Sequence, residues 1–468
     1  MDEEILSEAE AHHGHINTQF GAGGLIADYY PNLASFPGQL FVNPIDLSPR
    51  RETELVQEHA VRAGRRAERM NEHIRSGLTK HTDMVVGSAL QVQPNPDWDI
   101  LTGFEPEERT AFSDAARAQF NNWAYDPLLT ADAEGHYDFG SMMWLAYRNA
   151  SGPEGETFGA IIRDDQRALK LGTSWATYIN VISPDRVRTP TMYAMQEAEL
   201  GIFKGKQLDE HGRWEGLYVL KYEPFDPVNP GDNPWDFTFL PRVDATGRPS
   251  AWHWFEKTRC GAQRGMTKLV TSIRHATMMD KFDDAQLGTA IINALLAPHV
   301  KSNAEPTTIA ERLAPARSGV SPFDIRMGFY DKTKLRIGGK RVVVLPDGDE
   351  LVMEAVNRAA QDPTAFVNQF LRRLAAVTGT TFEQLSNNWS DANYSATRAA
   401  LLDLWRGILR IRRMFSNVAS LIYMAVIEEA IDKGRITLPA GAPPFRQNRY
   451  AYCRCNWMGP GMGQIDPL

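Results

Sequence analysis

Forty residues without a proline, from Tyr394 to about Lys433, limit what this chain can fold into. Leu401, Leu404, Trp405, Ile408, Ile411, Phe415, Val418 and Ile422 recur at the three-and-four spacing of one buried helix face. Ser390 and Asp391 are the expected caps at its start, and Lys433-Gly434 is the expected stop. At 1.5 Å per residue such a helix is roughly 55 Å long. That exceeds what a small core wraps, so the helix is expected to be a spine shared between domains or subunits. Arg398, Arg406, Arg410, Arg412 and Arg413 crowd its first half, and Glu428, Glu429 and Asp432 lie near its end. Upstream stands a short amphipathic helix, Leu371–Thr378, stopped by Gly379. The polar loop Ser386–Asn393 follows it.

Around this spine the composition is that of an ordinary globular protein of two to four domains, 43% hydrophobic and 23% charged over 468 residues. A net charge of −8 argues against a sequence-reading nucleic-acid binder, which carries a basic domain, but not against a channel through which DNA slides. Three cysteines, Cys260, Cys453 and Cys455, lack zinc-site spacing and fit a reducing cytoplasm. No signal peptide is read and no apolar run of membrane-spanning length, so a soluble protein is expected.

Along the chain, residues 1–50 read as a solvated arm. Its His12, His13 and His15 have no second ligand cluster, so a metal site is disfavoured. Residues 51–86 read as helix. Arg62, Arg65, Arg66 and Arg69 are better explained as a solvated face with partners at Glu58, Glu68 and Glu72 than as nucleic-acid contacts. A strand is expected at Leu90–Gln93, a polar helix over 97–123, a helix opening at Asp138 and a strand over Thr157–Arg163. Further strands are expected at Thr177–Ile182, Gly216–Tyr222, Phe237–Val243 and Ser250–Phe255, with a surface loop over Glu223–Trp235. Helix is expected over 261–303 and 351–378, broken at Asp362-Pro363. Between them, 304–350 carries short strands at Leu335–Ile337 and Val342–Leu345 and a basic cluster. Residues 435–468 read as strands and turns.

No phosphate-cradling Gly-x-x-x-x-Gly-Lys-Ser/Thr, no His-Glu-x-x-His and no Gly-x-Ser-x-Gly occurs, and carboxylates are scattered. The Asp138-Phe139-Gly140 triplet has none of the other kinase motifs. No catalytic residue, cofactor or metal is expected.

The order of these segments resembles the lambda-like family of tailed-phage portal proteins. The carriers are the Arg-rich helix with Val-Val-Gly after it, Asp138-Phe139-Gly140, Asp280 to Leu287, Gly379 to Leu385, Asn393-Tyr394-Ser395-Ala396-Thr397-Arg398, and Trp457-Met458-Gly459-Pro460 running on to Asp466-Pro467-Leu468. The resemblance covers most of 51–468. It implies an α+β portal-type fold with an α/β wing domain (51–262), stem helices at 263–303 and 353–380, and a small α/β clip (304–352). A channel loop (381–394) and a long wing helix with C-terminal strands (395–468) complete it. Family members continue into a helical crown, and none is read in these residues.

The resemblance further implies a ring, usually of twelve subunits, at one capsid vertex of the virion, assembled in the host cytoplasm. Implied partners are itself, double-stranded DNA in transit, the large subunit of the ATP-hydrolysing terminase, the major capsid or scaffold protein and head-completion proteins; no membrane is implied. A non-portal scaffold protein and a metal-dependent enzyme are the alternatives. Two site expectations follow. Lys332, Lys334, Arg336, Lys340 and Arg341 fall on the clip, where they meet DNA or an acidic partner, or only blunt a strand edge. Asn387, Asn388, Trp389 and Asn393 fall in the channel loop, where uncharged amides suit a sliding duplex; alternatively Trp389 packs under the long helix as a staple.

Overall fold

The computed structural model describes residues 47–224, 236–295, 299–302, 335–337, 340–342, 349–352, 363–390 and 393–461. The chain divides into two compact units, Met278–Val367 and the remainder.

In the larger unit, helix α1 (Pro49–Met70) opens on Ser48, whose hydroxyl accepts from the Arg51 amide, with proline at the first helical position. Asn71 ends α1 and caps α2 (Glu72–Val85), its side chain accepting from the Ile74 amide at 3.0 Å. Strand β1 (Gln91–Pro94) follows. Helix α3 (Pro106–Ala124) starts nine residues later than the polar pattern suggested, at a capping box of Glu105 and Glu108. Helix α4 (Phe139–Ser151) is capped by Asp138, accepting from the Ser141 amide at 2.7 Å, so the triplet is a helix start.

Strand β2 (Thr157–Arg163), helix α5 (Asp165–Leu171) and strand β3 (Thr177–Ile182) come next. Then follow β4 (Ile202–Phe203), β5 (Lys206–Leu208), β6 (Trp214–Leu220), β7 (Phe237–Pro241) and β8 (Ala251–Trp254). Most of the expected 223–235 loop lies outside the described residues. All pairings are antiparallel, giving one sheet ordered β3-β2-β8 and another ordered β4-β5-β6-β7. Phe158, Ala160, Ile182, Val187, Leu217, Val219 and Ala251 form the core they share.

Helix α6 (Ile273–Leu295) runs into the smaller unit, where strands β9 (His299–Ser302), β10 (Leu335–Ile337), β11 (Lys340–Val342) and β12 (Asp349–Val352) make two antiparallel pairs, β9-β12 and β10-β11. The helix expected to reach residue 303, and the one expected from 351, are thus strands at those ends. Helix α7 (Pro363–Thr378) begins on the anticipated proline and returns the chain to the larger unit.

There α8 (Phe382–Ser386), the long α9 (Tyr394–Asp432), α10 (Arg449–Tyr452) and β13 (Cys455–Met458) close the fold, β13 pairing antiparallel with β1. The C-terminal stretch is therefore partly helical. Asn393 caps α9, accepting from the Ser395 amide at 3.1 Å; this replaces the expected cap by Ser390 and Asp391, the latter outside the described residues. Lys433 is the C-cap, and Gly434 follows at φ +67°, the left-handed stop that glycine supplies.

The main core gathers on α9. Ile408, Ile411, Phe415, Val418 and Ile422 are buried with Phe112, Phe120 and Trp123 of α3 and Phe139, Met143 and Tyr147 of α4. From Ile422 to Ala430 every residue is buried. One unit thus wraps the second half of the helix, while Leu402 and Leu409 in the first half are exposed. An 18-residue window within Thr397–Asp432 has a mean hydropathy of 1.4, enough by composition to cross a membrane, contrary to the sequence reading. The reason for that apolarity is visible: 67% of the window is buried inside the protein.

Candidate functional site

The segment between α7 and α9 is built by short-range chemistry. Gly379 lets the backbone turn at φ +72° after Thr378. Thr381 then starts α8 with a capping box, its hydroxyl accepting from the Gln384 amide and the Gln384 side chain accepting from the Thr381 amide. Asn387 ends α8 in the left-handed region, at φ +53°. The Asn388 side chain accepts from the Ser390 amide and hydroxyl at 3.0 and 2.7 Å, an Asx turn. Trp389 is 48% exposed and is not part of the main buried core. Of the four loop residues singled out from sequence, two therefore shape turns, Asn393 caps the long helix, and Trp389 is presented to solvent.

This segment rests on α2. A Cβ at Gly77 would lie 2.8 Å from the Thr378 hydroxyl oxygen, so the end of α7 crosses α2 at a position that only glycine leaves open. The His81 Nδ1–H donates to the Gly379 carbonyl at 3.0 Å, and its Nε2 accepts from the Tyr147 hydroxyl at 2.9 Å. Burial pushes the His81 imidazole down to about 4, against the favourable Gly379 carbonyl. It is therefore neutral at pH 7, as that hydrogen-bond pattern requires. The Lys80 ammonium donates to the Gln384 carbonyl and to Asn387 Oδ1. Farther along, the buried Arg412 guanidinium of α9 donates to the Val85 and Met84 carbonyls at 2.9 and 2.7 Å, closing the C-terminal end of α2, and to Pro460.

The clip candidates are described only in part. Lys332 and Lys334 lie outside the described residues. Arg336 and Lys340 fall on β10 and β11, with Arg336 opposite Arg341 and Ile337 opposite Lys340.

Buried ionisable groups elsewhere are tied into the fold. Glu156, fully buried, accepts from Gln57, His253, Arg264 and the Gly265 amide at 2.8 to 3.0 Å. Burial alone would raise its carboxyl, but the Arg264 guanidinium and the His253 ring outweigh that and hold it well below the carboxylate range. Burial, with Lys206 nearby, pushes His253 down to about 3. Glu428 is clamped by Arg449, and Glu429 accepts from the Ala176 and Thr177 amides. A cleft of about 550 Å³ lies over Glu154 and Asp185, whose carboxylates both grip Arg65 at 2.7 Å. Arg65 is thus a tie to the sheets and not a solvated face residue, as the sequence suggested; Arg62 does pair with Glu58. Among the described residues no three His, Cys, Asp or Glu converge as metal ligands.

The sequence reading missed Lys80, His81 and Arg412. Each reaches a partner 298 to 328 residues away, and no local pattern marks such contacts.

Comparison with known proteins places the loop and the spine in a family. Residues 42–412 match the family described as "Phage portal protein, lambda family". The portal protein of Escherichia phage N15 is 28% identical over 416 residues, covering 86% of this chain and 74% of the relative. Portal protein B of Escherichia phage lambda is 28% identical over 408 residues, with the same shares covered. The match displaces the scaffold and enzyme alternatives, since this family is structural. With helices and small sheets arranged about α9, this chain belongs to the lambda family of phage portal proteins.

Proposed function

We propose that the chain assembles into a closed ring, usually of twelve copies in this family, at one vertex of the capsid. Double-stranded DNA enters and leaves through its channel. In this reading the larger unit supplies the wing and the smaller unit the clip, with α6 and α7 as the stem helices joining them. The division of the chain at Met278 and Val367, within those two helices, supports that assignment. The terminase large subunit docks on the clip, where Lys332, Lys334, Arg336, Lys340 and Arg341 provide positive charge, and head-completion proteins replace it. The major capsid or scaffold protein surrounds the wing. Ring closure uses heterologous interfaces.

The observation that carries the channel assignment is the loop itself. It is polar and uncharged at Asn387, Asn388 and Ser390, exposes Trp389, and is held by a rigid helix. Weak, exchangeable contacts suit a moving duplex, whereas each neutralised phosphate adds salt-dependent affinity. The test compares Asn388→Arg with Asn388→Ala, which loses the Asx turn without adding charge. Rings carrying arginine are expected to assemble but to package DNA more slowly or retain it differently than the alanine rings. Equal packaging and retention in the two would exclude the loop from the channel.

A further inference from the structure

We propose that Lys80 is the positioning residue of the loop segment Asn387–Ser390, a latch on α2 whose release lets that segment move while its flanks stay fixed. The inference rests in part on the channel reading above, but its structural half stands without it.

A weak contact joins Gln384 Nε2 to the Met84 sulfur at 3.6 Å, and three stronger side-chain contacts tie the region around the loop to α2 or to its end. His81 fixes the Gly379 turn, Arg412 fixes α9 to the carbonyls of Met84 and Val85, and Lys80 fixes the end of α8. His81 is 5% exposed and Arg412 is 8% exposed, so breaking either contact buries an unpaired polar group. Lys80 is only partly buried, and water can take over its contacts. Of the three ties it is the one that can open at low cost.

The chemistry of the Lys80 site agrees. Its ammonium reaches a neutral carbonyl at a helix C-terminal end, where unpaired carbonyls favour a cation, and the neutral amide of Asn387. The nearby Asp83 carboxylate accepts instead from the Trp144 indole at 2.8 Å. Beyond Lys80, the described hydrogen bonds of residues 387–390 are internal. The Asn388 amide donates to the Ser386 hydroxyl at 3.2 Å, and the Asn388 side chain holds Ser390. Among the described hydrogen bonds of residues 387–390, the one from Lys80 to Asn387 is the one that comes from another helix.

The experiment is hydrogen exchange on assembled full-length protein, read at the amides of Asn388 and Ser390. In Lys80→Met, exchange there is expected to rise roughly tenfold, the scale of one lost charge-assisted hydrogen bond. Amides of α2 and α9 should keep their protection, and in Lys80→Arg, which can still donate, exchange should stay close to that of the unaltered protein. Asn387→Gly, which suits φ +53° and removes one acceptor, provides a second variant should Lys80→Met fail to assemble; it is expected to raise exchange at Asn388 and Ser390. Unchanged exchange at those amides in either variant overturns the latch. DNA retention in filled heads is measured on the same variants. Faster exchange with altered retention supports both proposals; faster exchange with unaltered retention upholds the latch and overturns the channel reading.

Discussion

His81 does at the residue scale what α2 does at the next: it joins distant parts of one chain. Its proton inventory makes this testable. In the unfolded chain an imidazole titrates near the usual 6.5, and in the fold burial holds His81 to about 4. Below pH 6.5 the unfolded state takes up the proton first, so stability falls as pH drops from 6.5 to 4 and is level above 6.5. His253 acts in the same direction down to about 3, and the depressed Glu156 carboxyl adds to it at the acid end. His81→Gln is expected to flatten the thermal-unfolding profile between pH 6.5 and 4, removing roughly 3 kcal/mol of its acid-side fall. Melting temperatures of both proteins across that range provide the check, and parallel profiles would show that His81 is not held neutral. None of this was legible from the sequence. His81 sits in a helical pattern like any polar residue, and its partners Tyr147 and Gly379 lie 66 and 298 positions away. The buried carboxylates Glu428 and Glu429 were likewise read only as the polar end of a helix.

At the scale of elements, periodicity was a good guide where an element was long and half-buried. Helix α9 runs Tyr394–Asp432 against an expected end at Lys433, and β2 and β3 fall where alternation put them. Strands of two to four residues, such as β4, β5, β9 and β12, show no period and were missed or absorbed into neighbouring helices. The cap of α9 was misplaced because Ser390, Asp391 and Asn393 are all competent acceptors, and only backbone geometry chooses among them. The α2–α7 crossing was also invisible, since Gly77 reads as an ordinary weak helix position. Its lack of a side chain is what admits Thr378 and Leu385. Gly77→Ala improves helix propensity by about 1 kcal/mol but meets Thr378 at contact. A net loss of about 1–3 kcal/mol in urea unfolding is expected. A gain in stability would show that α7 does not cross α2 this closely.

For the whole molecule, the sequence carried the family through the order of many weak signatures, none decisive alone, and the match over residues 42–412 bears that out. Architecture within a subunit followed from α9 only in part. Its second half serves its own core, and its first half leaves Leu402 and Leu409 exposed, an apolar surface that a ring of identical subunits can cover. Assembly is therefore the central claim, because a portal that does not close into a ring has no channel. Native mass measurement of the purified protein tests it most directly. The prediction is one dominant closed species near twelve times the 52.5 kDa chain mass, visible as a ring with an axial opening. A monodisperse monomer of 52.5 kDa at high protein concentration would contradict it.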